Sequence, residues 1–213
     1  MRLRLADASR AGSPLLVKVD DIDYRGRFAA DGTFSLVVPR LSATTAVRWA
    51  GLDGRPCSTP APDATDEAAQ LRVALVWEGA ASLGLHILEP MAWLGSTTGH
   101  ISAAQPNSDL SRGAGRMHVF GGVGDPARVA FYSVELARLG SPGILNAVVK
   151  LEPAAGPCSS PEQSATIRYQ LHTARTGQGT AASPEVRAFA FQLPACGKGA
   201  AAALPVERIA IKF

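Results

Sequence analysis

The amino-acid sequence predicts an all-β protein, with a small antiparallel β unit at residues 1–57 and a larger β-sandwich-like domain at residues 70–213. Two observations support this prediction. Apolar and polar side chains alternate with a period of two along most of the chain, which is typical of strands with one buried face. Glycine and proline interrupt these runs at short intervals, as turns do in sandwiches and barrels. Residues 58–69 hold two prolines, three acidic residues and no large apolar side chain, and therefore predict a linker.

The first unit contains short alternating runs that predict four or five strands between residues 14 and 57. The pair Asp31-Gly32 is a strong signal for a tight turn, and it leads into a predicted strand at residues 33–38. A further strand is predicted at residues 44–49.

The second part begins with a run in which Trp77 falls on the same face as Leu71, Val73 and Leu75. This alternation assigns Trp77 to the core, and a second alternating run at residues 83–87 predicts the next strand. Later strands are predicted at residues 116–120, 127–134, 144–151, 164–172, 186–193 and 206–212.

Two segments predict long connections, since residues 95–115 and residues 173–184 are rich in glycine and polar side chains. Long loops of this kind commonly carry function. Helix is expected for no more than a turn, at residues 134–139 and in the acidic part of the linker.

Composition bounds the partners that the chain can take. Of its 213 residues, 46% are apolar, 18% are charged and 6% are aromatic, and the net charge is +3. The arginines are dispersed singly, without the concentrated basic patch that nucleic-acid binding requires, so we expect no nucleic-acid partner. No run of 18 apolar residues occurs, so no transmembrane helix is expected. The start, Met1-Arg2-Leu3-Arg4, lacks a secretory signal, which fits either a cytoplasmic protein or an exported one whose leader is absent from this chain.

The three cysteines are Cys57, Cys158 and Cys196, and their spacing matches no zinc motif. One interpretation joins Cys158 to Cys196 in a disulfide and leaves Cys57 unpaired. Closing that loop of about 39 residues would stabilise the fold by roughly 4 kcal/mol in the chain-entropy treatment, and it would require an oxidising compartment. The alternative is three free thiols in a cytosolic protein.

Catalytic motifs are missing from the sequence, so we expect no enzyme and no cofactor. It contains no G-x-S-x-G, no H-E-x-x-H and no phosphate-binding loop with its lysine. The four histidines fit either ordinary hydrogen-bonded imidazoles or a metal or acid–base site. Among the three tryptophans, only Trp93, beside the 95–115 loop, is expected to be an exposed ring that a sugar could stack on.

A family resemblance rests on the run from Leu71 to Trp77 and on Leu83-Gly84-Leu85-His86-Ile87-Leu88-Glu89-Pro90. These runs resemble the signature of the YfaP-like bacterial proteins, a strand ending in Leu-x-Trp followed by Asp-Leu-Asp-Leu-His-Val and a proline. Weaker likeness extends over Asp31-Gly32-Thr33-Phe34, Gly113-Ala114, residues 121–126, residues 191–194 and residues 209–213. The resemblance implies an exported envelope protein, in a family whose genes often accompany those of α2-macroglobulin-like proteins.

The departures from that signature bear on metal binding. Ser82 and Gly84 stand where the family has acids, and Arg116 and His118 stand where it has two aspartates. Calcium requires six to eight oxygen ligands, so no calcium site is predicted there. We expect His86 and His118 to face each other instead, either as a repacked pair or as an altered metal site.

Three functions follow as hypotheses. The first is a non-catalytic periplasmic or secreted module that binds a protein partner in the cell envelope. The second is a carbohydrate- or cell-wall-binding module that uses Trp93 and the 95–115 loop. The third is a metal-dependent enzyme built on His86 and His118. The candidate binding residues are His86, Trp93, Arg116 and His118.

Overall fold

The computed structural model confirms an all-β architecture. It describes residues 2–19, 22–37, 41, 47–51, 56–58, 68–77, 83–120, 128–151, 166–176, 185–192 and 205–213. In these ranges the strands are β1 (Arg2–Ala6), β2 (Pro14–Val19), β3 (Ile22–Arg27), β4 (Thr33–Val37), β5 (Val47–Gly51), β6 (Pro56–Ser58), β7 (Gln70–Trp77), β8 (Leu83–Leu88), β9 (His100–Ile101), β10 (Arg116–Phe120), β11 (Arg128–Glu135), β12 (Ile144–Leu151), β13 (Thr166–Thr176), β14 (Glu185–Gln192) and β15 (Pro205–Lys212). A 3-10 turn covers Ala8–Arg10, and the helical turn α1 covers Leu136–Leu139.

The first unit consists of two small antiparallel sheets, one in the order β3-β2-β5-β6 and one that pairs β1 with β4. The predicted turn at Asp31-Gly32 is present: the Asp31 carboxylate accepts from the amide of Thr33 at 2.9 Å, and Gly32 has a φ of 75°. The turn leads into β4, which pairs with the distant β1. The amide of Asp7 donates to the Gly32 carbonyl at 2.8 Å and so fixes that pairing.

The second part is a sandwich of two antiparallel sheets. One has the order β10-β11-β7-β13-β14, and the other has the order β15-β12-β8-β9. Alternate side chains of both sheets meet between them, and Trp77 lies in this core as predicted. The largest wholly buried side chains of this core are Tyr132, Leu71, Leu75, Leu85, Ile87, Ile101, Leu145 and Leu171.

The outer face of the five-stranded sheet is also buried at β7 and β11, because the first unit packs on these two strands. Ala74, Val76, Val129 and Phe131 project from that face into one hydrophobic cluster with side chains of β1 to β5. Burial on both faces explains why seven consecutive residues of β7, from Leu71 to Trp77, are inaccessible to solvent. The two parts of the chain therefore share a core along this face.

The predicted strand positions agree closely with those observed, and β10 and β12 have the predicted bounds. Three differences concern the connections. The 95–115 segment contains β9, which pairs with β8. The strand β13 continues to Thr176, inside the predicted 173–184 loop. Ser58 of the predicted linker belongs to β6, and residues 59–67 lie outside the described residues.

Replacing Phe131 by alanine tests the packing of the first unit on the sandwich. The Phe131 side chain is only 6% exposed and packs in the hydrophobic cluster of the first unit. We therefore expect the substitution to lower the free energy of unfolding by about 3 kcal/mol, as for a buried aromatic side chain. Val119→Ala, at a position 49% exposed on the neighbouring strand, is the control and should change stability by less than about 0.5 kcal/mol. Equal small effects in urea unfolding would show that the outer face is not buried.

Candidate functional site

The connection between β8 and β10 is organised around the carboxylate of Glu89, which is 7% exposed. Its Oε1 accepts from the amide of Gly115 at 2.8 Å and from the Tyr132 hydroxyl at 2.7 Å. Its Oε2 accepts from the amide of Ala114 at 2.9 Å. Glu89 directly follows β8 of one sheet, and Tyr132 belongs to β11 of the other. These hydrogen bonds therefore join the two sheets through the loop.

The glycines of this loop admit the Glu89 carboxylate and its partner. A Cβ atom on Gly113 would lie 2.5 Å from Oε2 of Glu89, and one on Gly115 would overlap the Tyr132 ring. Burial, followed by the charge of Glu89 and its hydrogen bond, raises the pKa of Tyr132 far above its usual range. The phenol therefore stays protonated and remains a hydrogen-bond donor to the carboxylate.

A second buried side chain, Asn107, holds the same loop from the opposite side. Its Nδ2 donates to the carbonyls of Gly113 and Gly115, at 3.1 and 2.6 Å. Its Oδ1 accepts from the amide of Arg112 at 2.8 Å. Asn107 itself has a φ of 55°, a left-handed conformation that asparagine tolerates better than most residues. The loop backbone is thus hydrogen-bonded from both sides.

The imidazoles of His86 and His100 stack with their centroids 5.2 Å apart and share a hydrogen bond of 2.9 Å. The geometry assigns the tautomer. The amide of Gly95 donates to Nδ1 of His100 at 3.0 Å, so Nε2 of His100 carries the hydrogen and donates to Nδ1 of His86. His100 is therefore neutral, and it fixes the end of the turn that precedes it.

That turn presents three exposed apolar side chains, Met91, Trp93 and Leu94, which we call the apolar apex. They are 93%, 69% and 41% exposed. Ser96 holds the backbone beneath them, since its Oγ accepts from the amide of Trp93 at 2.8 Å and donates to the Trp93 carbonyl at 2.7 Å. The apex therefore projects from the sandwich on a turn whose backbone is hydrogen-bonded by Ser96.

The expected contact between His86 and His118 is wrong. On β8 the residues Leu85 and Ile87 face the sandwich core, so His86 points to the outer face of its sheet. On β10 it is Met117 that faces the core, so the exposed His118 points to the outer face of the other sheet, next to Phe120. Two packed sheets lie about 10 Å apart, and metal–nitrogen bonds are about 2 Å long. One ion cannot bind both imidazoles, which removes the altered metal site.

The other candidate residues have varied positions. Trp93 is exposed as expected, and its role in binding stays a prediction. Arg116 is exposed on β10 and lines a shallow cavity of about 180 Å³, smaller than ligand pockets usually are. Cys57 is a residue of β6. Cys158 and Cys196 lie outside the described residues, so their disulfide stays a prediction.

Glu89, Asn107, His100 and Met91 were not singled out from the sequence as site residues. Their roles depend on contacts with residues elsewhere in the chain, and no local sequence pattern predicts such contacts. The run Gly113-Ala114-Gly115 was the available signal, since glycines that flank a residue mark a close approach of backbone to another group.

The described residues contain neither a metal-binding cluster nor a membrane-spanning helix. Within the described ranges, no three His, Cys, Asp or Glu side chains are grouped as a metal site would require. Nor does any helix in this part of the chain have the length and hydrophobicity needed to cross a membrane.

Comparisons with known proteins yield little likeness. No protein-family model matches the sequence, and no curated protein sequence matches it. One solved structure is similar over the whole chain: an adhesin described as Ca²⁺-stabilised, which helps an Antarctic bacterium reach out and bind ice. The identity is 11% and the TM-score is 0.19, and the chain spans 60% of the length of that structure.

Removing the Glu89 carboxylate tests its role in the loop. Glu89→Ala leaves two amides and the Tyr132 hydroxyl without an acceptor, and we expect it to lower the free energy of unfolding by about 3 kcal/mol or more. Glu89→Gln keeps one oxygen acceptor and should cost about half as much. The control Glu135→Ala removes an exposed carboxylate and should cost less than about 0.5 kcal/mol in urea unfolding. Equal effects at positions 89 and 135 would contradict the assignment.

The histidine pair predicts a pH dependence of stability. Burial, and then the charges of His86 and Lys150, lower the pKa of His100 below its ordinary 6.5. The unfolded chain therefore binds a proton at His100 near pH 6.5, whereas the folded chain binds it only at a lower pH. The contribution of the neutral imidazole to the free energy of unfolding is complete above pH 6.5 and is lost as the pH falls through the lowered pKa. His100→Gln should flatten the stability profile between pH 7.5 and 5, measured by urea unfolding, and an unchanged slope in this variant would contradict the assignment.

Proposed function

We propose that this chain is a protein-binding module and that the apolar apex is its contact surface. The observation that carries the proposal is the conformation of Met91. It has a φ of 70° and is the second central residue of a turn in which the amide of Ala92 donates to the Glu89 carbonyl at 3.0 Å. Pro90 precedes it, so the turn is of type II, where the second central position favours glycine.

A methionine at that position costs stability and gains no burial. The left-handed conformation costs a residue with a side chain about 1–2 kcal/mol, and the side chain is 93% exposed. Strained, exposed positions of this kind cluster at functional sites. The inference is that the Met91 side chain is there to be covered by a partner.

The composition of the apex favours a protein partner over a sugar. Tryptophan and methionine are enriched at protein–protein interfaces, and tryptophan is common among the residues that dominate binding energy. A sugar site would need several hydrogen-bonding side chains beside the ring. Here the nearby polar groups of Ser96 and His100 are engaged with the turn's own backbone. The carbohydrate hypothesis, with Trp93 as a single stacking ring, is the second candidate.

The support beneath the apex matters for affinity. Association is weakened when a loop must become ordered on binding. The bonds of Glu89, Ser96 and His100 hold the connection in one conformation before any partner arrives. A projection of three side chains can then bind with a larger net free energy than a mobile loop of the same composition.

The compartment is part of the proposal. We infer that the module acts in the periplasm or outside the cell and that its partner is an envelope protein of the kind the resemblance implies, in an α2-macroglobulin-like system. The support is the resemblance to YfaP-like sequences and the interpretation of Cys158 and Cys196, which lie outside the described residues, as a disulfide pair. Export of the full-length protein, followed by mass spectrometry of the two cysteines under non-reducing conditions, checks this part separately.

Site-specific photocrosslinking tests the proposed surface. A photoreactive phenylalanine analogue at position 93, in native cells, should yield one discrete crosslinked protein, and the analogue at the exposed Ile144 should not. With that protein purified, Trp93→Ala should weaken binding about 30-fold, as at a hot spot worth about 2 kcal/mol. Ile144→Ala should leave the affinity unchanged.

Met91→Gly separates binding from folding. The substitution relieves the strain of the left-handed backbone. It also increases the conformational entropy of the unfolded chain, which costs about 0.5–1 kcal/mol of folding free energy. We therefore expect a free energy of unfolding equal to or slightly above that of the parent, together with weaker partner binding in the same titration. Unchanged binding would refute a role for Met91. A saturable change of Trp93 fluorescence with peptidoglycan fragments, absent in Trp93→Phe, would favour the carbohydrate hypothesis instead.

A further inference from the structure

A second surface lies at the edge of the sandwich opposite the apex, where β14 and β15 are the outermost strands of the two facing sheets. A cleft of about 530 Å³ opens between them. Its floor is apolar and includes Leu171 and Ile209, and its rim carries Arg175, Arg187 and Lys212. This volume is within the range of ligand-binding clefts.

The backbone edge of β14 that points away from β13 is the second feature of this surface. It pairs with β13 on one side, and within the described residues no strand pairs with it on the other. Most of its eight residues are exposed, and Val186 is 48% exposed. A long strand with unpaired N–H and C=O groups and apolar side chains is a template for another strand, unless proline, charged side chains or a cover protects it. The charged residues of β14, Glu185 and Arg187, both lie at its start. The sequence of β14 contains neither proline nor lysine.

The charges around the cleft are unbalanced. Three cations line it, against the one carboxylate of Glu185. Glu185 pairs with Arg187 at 2.8 Å, and both side chains are more than half exposed. The Arg175 guanidinium donates to the Lys212 carbonyl and so bridges from β13 to β15 across the cleft. Two positive charges thus remain without a carboxylate partner within the lining.

We propose that this cleft receives an extended acidic segment of a partner protein, which adds to this edge of β14 as a further antiparallel or parallel strand. Side chains of an added strand alternate between the two faces of the sheet. Those on the cleft side lie beside Arg187, face the cleft that Arg175 and Lys212 also line, and are acidic. Those on the other side lie beside Val186 and Ala188 and are apolar. Backbone hydrogen bonds supply affinity, and the alternation supplies specificity.

This site is independent of the apolar apex, because the two lie at opposite edges of the sheet ordered β15-β12-β8-β9. The proposal therefore stands or falls without the proposed function. A module with both surfaces would join two partners, whereas a module with the cleft alone would still bind an acidic strand.

The experiment uses the intact protein and a fluorescein-labelled, capped peptide of seven residues that alternate valine and glutamate. Fluorescence anisotropy should show saturable binding that weakens with salt. Arg187→Glu should lower the affinity about tenfold, and the same variant should bind the valine–lysine peptide more tightly than the parent does. Arg208→Glu, an equal charge reversal at an exposed position of β15 outside the cleft, should change affinity less than about twofold.

A second peptide separates strand addition from simple charge attraction. N-methylation of every amide removes the hydrogen-bond donors along both edges of the peptide without changing its charge, so it should abolish binding by strand addition. Equal binding of the methylated peptide, or equal loss in Arg187→Glu and Arg208→Glu, would overturn the proposal. So would concentration-dependent dimerisation in sedimentation that Arg187→Glu abolishes, because the edge would then be occupied by a second copy of this chain. Circular dichroism verifies that each variant is folded.

Discussion

The hydrogen bonds of the Glu89 carboxylate are the constraint on which the functional end of the molecule depends. A carboxylate that is removed from water requires donors on its lone pairs, and the amides of Ala114 and Gly115 and the Tyr132 hydroxyl supply them. The same bonds satisfy backbone groups of a loop that contains little regular structure of its own. This side chain thereby fixes the end of the 27-residue connection between β8 and β10 and ties one sheet of the sandwich to the other.

Order in the loop makes the strain at Met91 tolerable. A left-handed methionine in a free loop would relax, because nothing would oppose rotation of its backbone. Here the amide of Glu89 donates to the Gly99 carbonyl, and the amide of Gly99 donates to the Arg112 carbonyl. These backbone hydrogen bonds tie the start of the Pro90 turn to Gly99, and Gly99 in turn to Arg112. Burial of a polar network beneath the loop and exposure of apolar side chains above it are two consequences of one arrangement.

The sequence predicts most of the strands because a period of two is a local signal, as the agreement at β10 and β12 shows. It does not predict what covers the second face of a strand. Arg72 and His172 follow the polar side of the alternation, yet the packed first unit leaves them 5% and 2% exposed. The pairing of His86 fails for a similar reason, since alternation tells which residues share a face but not which sheet each strand joins. Glu89 has no local signal, because its partners are 25 to 43 residues away.

The edges of the two sandwich sheets differ in how they are protected, and that difference bears on partners. The edge strand β9 has only two residues. The edge strand β10 carries Arg116 and His118. The edge strand β15 begins at a proline and carries the charged residues Glu207, Arg208 and Lys212. Such short, charged or proline-containing edges resist pairing with other chains. The strand β14 has eight residues, and its outward face presents Val186, Ala188 and Ala190. Its charged residues, Glu185 and Arg187, stand at the start of the strand and line the cleft. An edge that no described strand covers, and that is charged at one end and apolar beyond it, would select a strand of matching pattern. General aggregation would need no such charges.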